Sequence, residues 1–254
     1  MRIEGYPFLY ETHLHTSQGS ACGHNTGGEM AKATKAMGYA GIIVTDHNWG
    51  GNTAVDRSLP WEEWMDGFVK GYQEALEFGK AHDLDVFWGY ESGFRGTEFL
   101  IYGVTPQWMK QHPEIKTAGI EEQYQLIHGA GGMVIHAHPF REESYIPEVR
   151  LYPDYIDGVE GINATHSCRK STSHHKAEYD QKAIHYAREH NFPITAGSDI
   201  HSTTLFGGGV AFRRRLKSVS DYCQAILGDE DYVLTNGDAV FDKKGNLLYM
   251  LPDG

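Results

Sequence analysis

Gly132-Met133-Val134-Ile135-His136-Ala137-His138-Pro139 is an apolar run that ends in two histidines one residue apart and is closed by a proline. A short apolar run rich in β-branched residues reads as a buried strand, and Pro139 cannot continue the ladder beyond it. The same arrangement recurs along the chain. His13-Leu14-His15 ends the run Phe8 to His13, Thr45-Asp46-His47 ends Gly41 to Thr45, and Gly197-Ser198-Asp199-Ile200-His201 follows Pro193 to Ala196. In a strand, residues i and i+2 point to the same side, so His13 pairs with His15, His136 with His138, and Asp199 with His201. Parallel strands would bring these polar ends together at one rim.

Three further runs, Asp85 to Tyr90, Glu98 to Val104 and Gly158 to Ile162, bring the predicted strands to seven. Helical spacing joins Trp61, Trp64, Met65, Phe68, Tyr72, Ala75 and Leu76, and again Ile120, Tyr124, Ile127 and His128. A third helix is predicted over His175 to His190, with Ala177, Ile184 and Ala187 on its buried side. Alternating strands and helices imply an α/β fold with a largely parallel sheet, and seven strands suit a closed or nearly closed TIM-like barrel. The expectation is one domain over residues 1–254, in which 207–254 supply additional strands and packing segments. Gly207-Gly208-Gly209 reads as a flexible turn, or else a phosphate-binding loop.

The chain carries 22 Lys and Arg against 34 Asp and Glu, a formal net charge of −12. That balance disfavours nucleic acid and anionic membranes and points to a compact substrate. Arg213-Arg214-Arg215 with Lys217 is the one concentrated basic stretch and reads as a solvated face. The first ten residues lack the apolar core of a signal peptide, and no run is long enough to span a bilayer, so a soluble cytoplasmic protein is expected. Three scattered cysteines suggest neither a disulfide framework nor a zinc knuckle. Fifteen histidines call for ligand roles. Imidazole and carboxylate donors without a thiolate cluster suit Zn, Mn or Fe in a hydrolytic site that keeps water on the metal.

Taken in order, HxH, then TDH, then Glu91 after a strand, then HP, then GSDxH, these motifs resemble the PHP (polymerase and histidinol phosphatase) family from His13 to His201. The resemblance implies a distorted (βα)7 barrel, two or three divalent metal ions and hydrolysis of a phosphoester by metal-activated water. It puts His13, His15 and Asp199 on a first metal, makes Glu91 the bridge to a second bound by His138, and gives His47 and His201 to a third. Two places depart from the family. Glu98-Phe99-Leu100-Ile101-Tyr102-Gly103 has Leu100 where relatives often have a histidine, leaving the second metal short of a ligand unless His136 compensates. The loop Ser20-Ala21-Cys22-Gly23-His24 has no Asp; His24 is the preferred ligand for the third metal and Cys22 its rival.

Arg141, just beyond His138-Pro139, reaches the same rim and suits bidentate phosphate binding. Asp199 or His201 would protonate the leaving oxygen. Asp46 either orients a ligand or caps a turn; Glu160 and Asn163 read as supports. His166, His174 and His175 lie where they could meet substrate, whereas His82, His112, His128, His185 and His190 read as surface or partly packed. Trp61, Trp64 and Phe68 read as core or a subunit contact. A small phosphorylated molecule is the expected substrate. An amidohydrolase-type amide or ester hydrolase is the rival enzyme; it would require a bridging Lys in mid-chain, and Glu91 with the early Asp46-His47 fits a phosphoesterase better. A metal-binding module without turnover is the third reading.

Overall fold

Phe8–Leu14 (β1) is buried from Leu9 onward because it runs between two neighbours. The computed structural model describes residues 3–252. Gly27–Met37 (α1) begins with a capping box of Thr26 and Glu29 and returns the chain to Gly41–Val44 (β2), parallel to β1. Trp61–Phe68 (α2) and Lys70–His82 (α3) divide at Val69 the single helical run expected from the spacing. Trp61 and Trp64 stack at 5.1 Å inside the protein and are core, not a docking surface. Asp85–Trp88 (β3) pairs parallel with β2 and passes through Gly89 into Tyr90–Phe94 (β4).

Thr97–Tyr102 (β5) turns back antiparallel to β4, Pro106–Gln111 (α4) and Ile120–Gly129 (α5) follow, and Met133–Ala137 (β6) lies antiparallel to β5. Gly158–Asn163 (β7), Ala164–Ser167 (α6), Glu178–His190 (α7) and Ile194–Gly197 (β8) complete a parallel β6-β7-β8 segment. The third predicted helix therefore starts three residues late. His174 takes φ +51°, outside helical space, and the buried face comprises Tyr179, Asp180, Ala183, Tyr186 and Ala187; Ala177 is exposed and Ile184 half-buried. Gly208–Phe212 (β9), Val219–Leu227 (α8), Tyr232–Asn236 (β10), Ala239–Asp242 (β11) and Leu247–Met250 (β12) form the C-terminal part.

All seven predicted strands exist, but the pairing is mixed rather than largely parallel. One sheet has the order β12-β11-β10-β9-β1-β2-β3, the other β4-β5-β6-β7-β8. They meet at two seams. At the first, the His15 amide donates to the Ile200 carbonyl (2.9 Å) and the Ile200 amide to His13 (3.1 Å); at the second, Asn48 donates to Glu91 (2.8 Å) and Glu91 to Asp46 (3.0 Å). The residues that stitch the sheets are thus those that carry the polar motifs. Gly208 and Gly209 are no flexible turn. They form the start of β9, where Gly209 takes φ +143° and a Cβ would collide with the Tyr10 carbonyl.

The basic run is also more than a solvated face. Arg213 pairs with Asp231, Arg214 with Asp221 and Glu230, and Arg215 with Asp83 and Asp85, clamping strand and helix ends together. Among the described residues, no helix is long and apolar enough to cross a membrane.

Candidate metal centre

The rim is built by the ends of β1, β2, β6 and β8 and by the beginnings of β4 and β5. Among the described residues, four overlapping groups have donor atoms within 4.8 Å of one another: His13–Glu91–His138, His13–His15–Asp199, His15–His47–His201 and His47–Glu91–Glu98. All except Glu98 and His201 are buried. Asp199 Oδ1 lies 3.1 Å from His15 Nε2, 3.4 Å from His13 Nε2 and 3.7 Å from His201 Nε2. Glu91 reaches His138 Nε2 at 3.1 Å and His47 Nδ1 at 3.0 Å.

The imidazoles are aimed by partners on their far sides. His13 Nδ1 lies 2.8 Å from Glu160, which also accepts from the His138 amide and from Asn163 (both 3.1 Å). The Ser20 hydroxyl donates to Asp46 (2.7 Å), so it can only accept from His15 Nδ1 at 3.0 Å. That fixes the proton on Nδ1 and turns the Nε2 lone pair of His15 to the cluster, the support that ligating histidines require. Asp46, further held by the Thr16 amide and hydroxyl, acts through Ser20 rather than on His47 directly. Burial pushes its carboxyl up to about 6, still ionised at neutral pH.

His47 Nδ1 and Glu91 Oε2 lie 3.0 Å apart without hydrogen-bonding geometry, and these two atoms and His13 Nε2 are buried without a hydrogen-bond partner. Buried polar atoms are nearly always satisfied, and here the orphans all face the shared space, so the donor set fits cations. Electrostatics agree. Burial opposes ionisation of Glu91 and Asp199, yet His13 and His47 hold Glu91, and Arg141 and His13 hold Asp199, well below the usual carboxylate range. Burial, reinforced by the nearby Glu91, instead raises Glu98. Burial together with His201 and His47 drives His15 well below the ordinary imidazole value. The backbone is strained where two donors leave their strands: His138 has φ +29° and Asp199 φ +54°.

The structure brings together His13, His15, His47, Glu91, His138, Asp199 and His201, and adds Glu98. It does not bring in His24, which is exposed on the cavity wall. Cys22 is half-buried on the same cavity wall as His201 and His47. Burial raises its thiol, but these two imidazoles more than offset that and lower it to about 7. His136 stays below, stacked on Phe99 at 5.0 Å and driven down to about 3 by burial and by His138. Leu100 is core.

Arg141 is buried, with Nη2 2.6 Å from Asp199 and Nε 2.9 Å from His166. The expected bidentate grip on phosphate is therefore reduced to the guanidinium edge left over. Over the site opens a cavity of about 650 Å³, lined also by Arg95, Tyr145, Thr165 and His174. His166 is buried behind Arg141, and His175 is exposed away from the cavity.

No family model and no curated protein matches the sequence. Solved structures do. A two-domain protein from Bacteroides vulgatus containing a predicted PHP-like metal-dependent phosphoesterase matches 95% of this chain and 68% of its own at TM-score 0.65 and 12% identity. The chain has the fold of the PHP-like structures. A candidate metal-dependent phosphoesterase from Bifidobacterium adolescentis matches 87% of this chain and 96% of its own (TM-score 0.50, 15% identity). PsfC from Pseudomonas syringae matches 85% and 87% (TM-score 0.56, 14% identity).

Proposed function

We propose that this protein is a metal-dependent phosphoesterase that hydrolyses a small phosphomonoester or short phosphodiester. The observation that carries the reading is the convergence of four donor groups on one rim with three buried donor atoms left unsatisfied. His13, His15 and Asp199 would hold one divalent cation, Glu91, His138 and Glu98 a second, and His47 and His201 a third, with Zn, Mn or Fe suited to such donors. Bound there, the cations supply Lewis-acid polarisation of phosphoryl oxygens and a lowered pKa for water.

The chain's own residues do the rest. Glu160 and Ser20 keep the His13 and His15 lone pairs facing inward. Arg141 holds Oδ2 of Asp199 and leaves Oδ1 toward the donors, while its free edge offsets charge on phosphoryl oxygens. Asp199 is buried and locked, whereas the His201 side chain is 29% exposed, so His201, when it does not hold the third cation, is the better placed of the two to hand a proton to the leaving oxygen. A cavity of about 650 Å³ admits a small molecule, and the acidic surface disfavours nucleic acid and membranes. The two hydrogen-bonded seams support reading the sheets as one distorted (βα)7 barrel in a single domain.

The test is turnover of an aryl phosphate and an aryl ester by purified, metal-loaded protein, with elemental analysis of cations per chain. Phosphate release with two or three equivalents supports the proposal. Release from the ester alone, or no bound cation, overturns it.

A further inference from the structure

Behind the rim lies a second polar chain that the donor groups do not use. Arg141 Nε donates to His166 Nε2 (2.9 Å), His166 Nδ1 lies 2.9 Å from Asp180 Oδ1, and the Ser167 hydroxyl donates to Asp180 Oδ2 (2.6 Å). Arg141, His166 and Asp180 are all buried. The tautomer follows from the donors. A guanidinium can only donate, so His166 Nε2 accepts and its proton sits on Nδ1, donated to Asp180. Burial, and the charge of Arg141 next to it, keep this imidazole neutral.

We infer that His166, backed by Asp180, is a positioning residue that fixes the rotamer of Arg141. An arginine has four flexible torsions, and immobilising such a side chain costs rotamer entropy. Here the Nε bond to His166 and the Nη2 bond to Asp199 hold it from two sides. Its remaining edge is thereby turned to the cavity, which Arg141 lines and His166 does not. The inference rests on the phosphoesterase reading for its substrate, but the geometry of the relay stands apart from it.

His166 also joins α6 to α7 through Asp180, so a purely structural role must be told apart. Three proteins serve: wild type, His166→Leu, which removes both bonds, and His166→Gln, whose amide oxygen can accept from Arg141 while its NH2 donates to Asp180. In the leucine variant, KM for the aryl phosphate and the inhibition constant of inorganic phosphate are expected to rise about tenfold, with the larger part of the loss in KM rather than kcat. The glutamine variant is expected to recover most of both. Nitrogen-15 NMR of the wild type is expected to show His166 protonated on Nδ1 only, and an Arg141 Nε–H signal that moves in the leucine variant.

A lower melting temperature without a change in either constant, or failure of glutamine to rescue, overturns the inference and leaves the phosphoesterase reading standing. An Nε2-protonated or doubly protonated His166 overturns it even in a protein without turnover. Absence of turnover with the expected NMR signature overturns the phosphoesterase reading instead.

Discussion

Glu160→Gln tests the metal centre at its support rather than at a ligand. One Glu160 oxygen takes the His13 Nδ1 proton at 2.8 Å; the other takes the His138 amide and the Asn163 side-chain NH2, both at 3.1 Å. Glutamine has one acceptor oxygen and one NH2. If its oxygen faces His13, the NH2 confronts two donors; if it is flipped, it confronts the His13 N–H and drives the imidazole to the other tautomer, with the proton on Nε2 among the donors. Either way a buried donor loses its acceptor. Removing a support of this kind typically weakens metal affinity 10- to 100-fold, about 1.4–2.8 kcal/mol. Competition against a chromophoric chelator measures it directly, in parallel with wild type and with His13→Ala as the limit. Affinity within twofold of wild type for every bound cation would refute the assignment of His13 as a ligand aimed by Glu160.

Glu98→Gln is expected to lower the cations retained after dialysis by one equivalent, since Glu98, 3.6 Å from His138 Nε2, completes the proposed second site with Glu91 and His138; unchanged elemental analysis would remove Glu98 from the site. Chelation of the bound cations is expected to lower the calorimetric melting temperature, because ligand at 100 times its Kd stabilises the folded state by about 2.7 kcal/mol; identical transitions would contradict metal binding. In metal-free protein, Cys22 is the reactive thiol: its alkylation rate should reach half-maximum near pH 7, where a lowered pKa places the thiolate, against about 8.5 for a free cysteine. Peptide mapping separates it from Cys168 and Cys223, both buried and raised, the latter to about 12; a Cys22 midpoint above pH 8 would refute the reading. Gly209→Ala is expected to cost at least about 1–3 kcal/mol by placing a Cβ at φ +143° against Tyr10, read as a fall in the urea midpoint.

Strand positions were legible because each apolar run is short and ends in a polar motif, and all seven appear where the pattern puts them. Strand direction was not. Nothing in the composition of Glu98 to Val104 distinguishes a parallel from an antiparallel partner, and the tight Arg95-Gly96 turn that reverses the chain sits between two apolar runs without a helix. The convergence of the side chains also has a different cause from the i, i+2 rule. His15, His138 and Asp199 all lie beyond the ends of β1, β6 and β8, and two of them turn inward through positive φ. His136 obeys the strand and stays on Phe99; His138 leaves it and reaches Glu91.

The family resemblance directs attention to Leu100, where relatives often have a histidine, and passes over Glu98 two residues earlier; the reversal of β5 is what brings Glu98 to the rim. Because β5 runs antiparallel, its beginning is level with the ends of its neighbours: Glu98 pairs with Gly93 near the end of β4 and with Ala137 at the end of β6. Its carboxylate then lies 3.6 Å from His138 Nε2 and 3.7 Å from His47 Nδ1. Leu100, two residues deeper and opposite Glu91, fills core. The Cys22 and His24 choice was unreadable for a related reason: their loop has no strand periodicity, and only the Ser20–Gly23 turn decides that Cys22 faces His47 and His201 while His24 faces solvent. In the proposed second site, a carboxylate in place of an imidazole would make the site harder and more anionic. Its preference should shift toward manganese relative to a histidine-bearing relative, and Glu98→His should move it back toward zinc, as measured by competitive loading of the two ions.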